Sequence, residues 1–468
     1  MATFRIRPQW VVASIFHLLF TSPSFSAVYL SSQNGSWFSP ATWGGSGVPR
    51  NGDRAIVTHA VRIDSSLTIG HSPAAVDPTP AIRIASVSGS VTLGTRVALT
   101  CRGSVHVTPG TLLLEAGSSL EFDPSACPAP ASTVYKLAIV PTSGSNAIVR
   151  VKGAPGARCA IRSRPGSAYA VIVDSGVVNG GRVIADYCDF SGLGGAPDYW
   201  GWRYNPGGGG DTVRVTNSTF TQCSKIAPSG GGLRNGAVVE FVGCVWKNSV
   251  QMPGHGENWM IHMPGLAVGQ SSCRARLIRC DFDKPVSLYR MGGYIVEECV
   301  FREGVVAYED WFIPWTAFRR NFVRFIGGNS PLNVTHGTTM EECIFVFDAA
   351  ERNPHFGSIS SGSGPTAIRG CIFWLTSGNL TGYEGDGFFI DPAATGSRQE
   401  NTVTFERNIF LPNGQGPDGS DFLTCTGFTI LNESNNKQVV FKRNTVFTTA
   451  IGGCNVGETN VATSGDVA

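Results

Sequence analysis

Side chains able to move a proton or hold a carboxylate are concentrated between residues 255 and 355. Tyr289 and Arg290 occur together, Glu309 and Asp310 are followed by Trp311, and His336 and His355 stand further on; the preceding stretch carries His255, Glu257, Trp259 and His262. Two reactions use such groups. A polysaccharide lyase needs a base to remove the proton next to a uronic carboxylate, and a cation or guanidinium to neutralise that carboxylate. Arg290 with His262, His336 or His355 meets this need. A glycoside hydrolase needs two carboxyl groups at a defined separation, and Glu309 or Asp310 with Glu257 supplies them. Glu257, Trp259, Tyr289 and Trp311 are the matching substrate-binding candidates, the aromatic ones by stacking on sugar rings. Each of these residues also has a plainer use, as a turn or an inter-coil hydrogen bond.

What would bring these residues together is a repeat. From about residue 180 a β-prone run is followed by Cys, Asn or Ser, then any residue, then a large apolar one. It reads Cys188-Asp189-Phe190, Ser218-Thr219-Phe220, Cys244-Val245-Trp246, Cys280-Asp281-Phe282, Cys299-Val300-Phe301, Asn321-Phe322-Val323, Cys343-Ile344-Phe345, Cys371-Ile372-Phe373, Asn408-Ile409-Phe410 and Asn444-Thr445-Val446. Repeats of this length mean a solenoid, propeller or array. Phe282 and Phe301 are only 19 residues apart, too few for a four-stranded propeller blade and enough for one three-sided coil. Side chains two apart on a strand share a face, so Cys over Cys and Phe over Phe would stack inside. Counted from these stacked residues, Tyr289 and Arg290 lie seven and eight after Phe282, Glu309 and Asp310 eight and nine after Phe301, His336 thirteen after Val323, and His355 ten after Phe345.

The ladder resembles that of the pectate-lyase-like superfamily. The resemblance implies an all-β, right-handed, single-stranded parallel β-helix whose loops build a groove for a polysaccharide. Residues 27–130 differ in character: Trp37, Trp43, Val48-Pro49 and Gly52-Asp53, then alternating strands, are similar to the opening of the G-eight domain. The expected organisation is therefore a signal peptide over 1–26, an N-terminal β-rich cap over 27–130 and the β-helix over 131–468. In the cap, Trp37 and Trp43 are expected to be packing residues.

The rest of the composition agrees. Arg5 and Arg7, an apolar run from Val11 to Phe20 and small residues at Ser24, Ser26 and Ala27 read as a secretory signal, which places the chain outside the cell or in a periplasm. A net charge of +2 with 15% charged residues gives no reason to expect nucleic acid, and no later run is long enough to enter a membrane. A monomer with a glycan partner is expected. Stacked cysteines on parallel strands are about 4.8 Å apart without converging Cβ atoms, so the ladder thiols should stay free, with Cys425 and Cys454 as an off-ladder disulfide candidate. No cofactor is required by either reaction; Glu384, Asp386 and Asp391 are close enough in sequence for Ca²⁺ but lack a specific ligand spacing. Two functions stay open: a carbohydrate-active enzyme, with lyase ahead of hydrolase, and a non-catalytic surface or adhesion protein using the solenoid as a rigid glycan-binding stalk.

Overall fold

A computed structural model of the chain describes residues 27–70, 80–125, 134–142, 144–165, 167–174, 180–194, 201–205, 212–224, 226–228, 237–250, 261–262, 274–287, 294–306, 317–326, 332–335, 338–349, 357–360, 365–378, 385–390, 402–411, 425–430 and 438–446. These residues form a parallel β-helix. Each coil visits three faces in turn, and within each sheet the strands pair in parallel with the equivalent strands of neighbouring coils. The first face is an eleven-stranded sheet running from Val28–Leu30 to Val305–Val306, followed by a four-stranded sheet from Leu332–Thr335 to Cys425–Ile430. The second face has fifteen strands, from Gly35–Ser36 to Gln438–Lys442, and the third fourteen, from Leu67–Ile69 to Thr445–Val446.

The stacked residues fall in one unbroken register. Phe190 pairs with Phe220, Phe220 with Trp246, Phe282 with Phe301, Phe301 with Val323, Val323 with Phe345, Phe345 with Phe373, Phe373 with Phe410 and Phe410 with Val446. Ring centroids are 4.8 Å apart for Phe190 and Phe220, 4.6 Å for Phe220 and Trp246, 4.5 Å for Trp246 and Phe282, and 5.1 Å for Phe282 and Phe301. Val323 is too small to continue the stack. Phe318 of the second face fills the space, 6.3 Å from Phe301 and 6.2 Å from Phe345. Each aromatic pair adds about 0.5–1.5 kcal/mol to the burial of its rings, so the column is a main source of cohesion between coils.

The corner between the second and third faces explains the Cys/Asn choice. The residue before each ladder position is left-handed, with φ of +47° at Tyr187, +50° at Asn217, +52° at Arg279, +57° at Glu298, +53° at Arg320, +56° at Glu342 and +55° at Arg407. Its N–H still finds a carbonyl on the next coil, as in Glu298 N–H to Arg319 O and Arg320 N–H to Glu341 O. That inter-coil bond offsets the cost of a left-handed non-glycine residue. At the ladder position itself, Asn321 donates its amide to Val296 O and accepts from the Cys299 N–H, both at 2.9 Å. Asn408 does the same for Ile368 O and the Cys371 N–H. One coil after Asn321, Cys343 Sγ lies 3.5 Å from Phe318 O, the equivalent carbonyl. Asn, Ser and Cys alternate here because each is small and can serve the corner below it. Cys101, Cys159, Cys188, Cys223, Cys244, Cys280, Cys299, Cys343 and Cys371 are free and buried. Burial raises the thiol pKa values of Cys101, Cys159, Cys188, Cys244, Cys280 and Cys343, and pushes Cys223 up to about 12. Cys454 lies outside the described residues.

The N-terminal segment does not form a separate cap. Val105–Val107 pairs with both Ile82–Ile84 and Val134–Ile139, so the sheets cross residue 130 without interruption. Residues 28–122 are the first coils of the same stack, with the ladder continued backwards by Ile161, Leu120, Leu99 and Leu67 in place of aromatics. Trp37 and Trp43 are buried in the first coil, 4.8 Å apart, and donate their indole N–H groups to Pro49 O and Trp37 O. They are packing residues, as expected.

Candidate functional site

The coil geometry sorts the candidate residues by connection. The chain passes from the first to the second face after Ile261–His262, Val286–Ser287, Val305–Val306 and Leu332–Thr335. Tyr289 and Arg290 fall in the second of these connections, Glu309, Asp310 and Trp311 in the third, and His336 in the fourth. Glu257, Trp259 and His355 fall instead in connections from the third to the first face. Equal distances after the stacked aromatic therefore do not mean the same corner, because the stretch between third and first faces varies in length. It runs from Phe282 to Val286 in one coil and from Ala349 to Gly357 in another.

Measured from the first face, the register is tighter. His262 pairs with Ser287, and Ser287 pairs with Val306. Arg290 and Glu309 each stand three residues beyond these paired positions. Tyr289, Arg290, Glu309, Asp310, Trp311, His336, His355, Glu257 and Trp259 themselves lie outside the described residues, and of His262 only the strand position is described.

The described charges around these coils are engaged with one another. Arg302 donates to both oxygens of Asp281, at 2.8 and 2.6 Å, and this contact raises its pKa. Lys284 Nζ is 2.6 Å from Glu303, and Ser249 donates its hydroxyl (2.6 Å) and its backbone N–H (2.9 Å) to Asp283. On the second face, Glu297, Arg319, Glu341, Arg369 and Glu406 alternate in sign up successive coils, with Arg319 2.8 Å from Glu341 and Arg369 3.4 Å from Glu406. These pairs tie coils together. Among the described residues no group of three His, Cys, Asp or Glu side chains could hold a metal ion, and Glu384 and Asp391 lie outside them. No described helix is long and apolar enough to cross a membrane.

Compared with protein-family models, curated proteins and solved structures, the chain matches none of them.

Proposed function

We propose that this is an exported carbohydrate-active protein that holds an acidic polysaccharide along its first face and cleaves it by β-elimination. The resemblance of the ladder to pectate-lyase-like proteins, and of the first coils to G-eight segments, supports that substrate class. The observation that carries the reading is the matched offset of Arg290 and Glu309 from the register partners Ser287 and Val306. Equivalent positions on neighbouring coils recur about every 4.8 Å along the axis, a step close to one sugar of an extended chain. In the proposed reaction Arg290 neutralises a uronate carboxylate, which makes the adjacent C–H more acidic. His262 or His336 removes that proton, and the electron pair expels the glycosidic oxygen to leave an unsaturated sugar. Glu309 and Asp310 hold hydroxyls; in a hydrolase they would pair with Glu257 instead.

A screen of acidic polysaccharides decides between the reactions. Absorbance of an unsaturated product with new reducing ends supports elimination, and reducing ends without absorbance indicate hydrolysis. Binding with neither signal leaves the non-catalytic stalk.

A further inference from the structure

On the third face of the later coils the outward positions turn apolar. One residue after each ladder position, Asp281 pairs with Val300, Val300 with Phe322, Phe322 with Ile344, Ile344 with Ile372, Ile372 with Ile409 and Ile409 with Thr445. Two residues further along the strands, Arg324 pairs with Val346, Val346 with Trp374 and Trp374 with Leu411. Both rows alternate with the inward ring column, so they point away from the core. In earlier coils the same two rows hold Ser119, Asp189 and Thr219, and Glu121, Arg162 and Lys247. Ile344 is 38% and Trp374 47% exposed; Val300, Phe322, Ile372, Ile409 and Leu411 are half-buried and Val346 is buried. The strands read as unbroken apolar runs, Ile344-Phe345-Val346-Phe347 and Ile372-Phe373-Trp374-Leu375, the pattern of a sheet covered on both sides.

We propose that this stripe is the centre of a homodimer in which two copies pack third face on third face, with their solenoid axes antiparallel. The stripe is symmetric about Ile344. Val300 and Phe322 precede it, Ile372 and Ile409 follow it, and polar Asp281 and Thr445 close the row three coils away on either side. A two-fold axis through Ile344, along its strand, sets Ile344 on Ile344, Phe322 on Ile372 and Val300 on Ile409 of the second copy. The same axis sets Arg324, one coil before the centre, over Trp374, one coil after it, a guanidinium on an indole. On the rim Glu298 meets Arg407, and the exposed Glu342 carboxylates meet at the corner, where water and salt screen them. A foreign partner would require no such symmetry. The size agrees as well. From Asp281–Phe282 to Thr445–Val446 the face spans seven strands, roughly 34 Å. Its longest strands, of six and seven residues, run roughly 20 Å. The product, roughly 680 Å², is near the roughly 800 Å² that each partner gives to a stable complex, and an apolar centre inside a charged rim is the anatomy of such an interface. This dimer replaces the monomer expected from the sequence. The connections from first to second face lie at the opposite corner of each coil, so the candidate loops stay open in it.

Sedimentation velocity of the full chain over a concentration series reads the dissociation constant. The wild type should be a dimer at micromolar concentration. Ile344→Lys, which puts two ammonium groups on the axis, should weaken it about hundredfold or more, with the melting temperature of the dilute monomer unchanged. Trp374→Arg should weaken it about tenfold, and adding Arg324→Trp should bring it back within about threefold of the wild type, because the exchanged pair faces itself again across the two-fold. Thr221→Lys, in the outer row of an earlier coil, should leave the dimer intact. A wild type that is monomeric at about 100 μM, a dimer that Ile344→Lys leaves unchanged, or an exchange that restores nothing would overturn this dimer. A monomer that binds a soluble β-glucan, and loses it in Ile344→Lys, would overturn it too and give the face to a sugar chain.

Discussion

Replacing Asn321 by leucine isolates what the ladder position contributes. Asn321 is buried, donates to Val296 O and accepts from the Cys299 N–H. Leucine has nearly the same volume but leaves both backbone groups buried without partners, at about 1–3 kcal/mol each. Its apolar surface offsets roughly 1.5–3 kcal/mol of that, so the variant should be less stable by about 2 kcal/mol. Asn321→Cys is the control, because Cys343 already donates to Phe318 O from the equivalent place one coil later. It should cost about 1 kcal/mol or less. Urea denaturation gives the energies, and amide exchange at Cys299 gives the local effect: faster in the leucine variant, near wild type in the cysteine variant. If leucine were tolerated as well as cysteine and the Cys299 amide stayed protected, the alternation of Cys and Asn would have another cause.

Phe301 sits in the middle of the ring column, and Phe301→Ala should cost roughly 3–5 kcal/mol by denaturation, the range for a large core aromatic; a loss below about 1 kcal/mol contradicts the stack. Cys280, Cys299, Cys343 and Cys371 should resist alkylation until denaturation, and mass mapping that found them cross-linked in the native chain would overturn the free-thiol geometry. Asp123 is almost fully buried; burial alone would raise its pKa, but hydrogen bonds from Ser125 and the Arg164 guanidinium hold it below the usual value. Its stabilising contribution is present above the unfolded carboxylate pKa of about 3.9 and is lost as pH falls through the lower folded value. The melting-temperature gap between wild type and Asp123→Asn should therefore close on acidification below about pH 4, and a gap that widens there contradicts the pairing.

The coil stack was readable because its constraints repeat. An inward position must be apolar, and the corner admits only small side chains able to reach backbone, so Cys188 to Asn444 stand out against variable loops. The first coils hid because Leu67, Leu99, Leu120 and Ile161 fill the same column without aromatics, and because Trp37 and Trp43 pack the first coil with a different motif. The left-handed corner residues escaped notice since Tyr, Asn, Arg and Glu all occupy that place; backbone pairing to the next coil, not residue type, sustains it. The candidate site was the least readable part. Counting from Phe345 carried the count for His355 only into the stretch before the first face, while counting from Phe282 passed that face before reaching Arg290. Only the pairing of His262, Ser287 and Val306 supplies a common origin.

The most direct test of the proposed function is turnover by wild type and Arg290→Lys on an acidic polysaccharide, with the melting temperature measured beside it. A guanidinium grips a carboxylate through a planar fork that an ammonium cannot reproduce. The expected result is a fall in kcat of about tenfold or more, equivalent to about 1.4 kcal/mol, with the melting temperature unchanged. A wild type that turns over no polysaccharide, or a variant whose activity falls only in step with its folded fraction, would contradict the account.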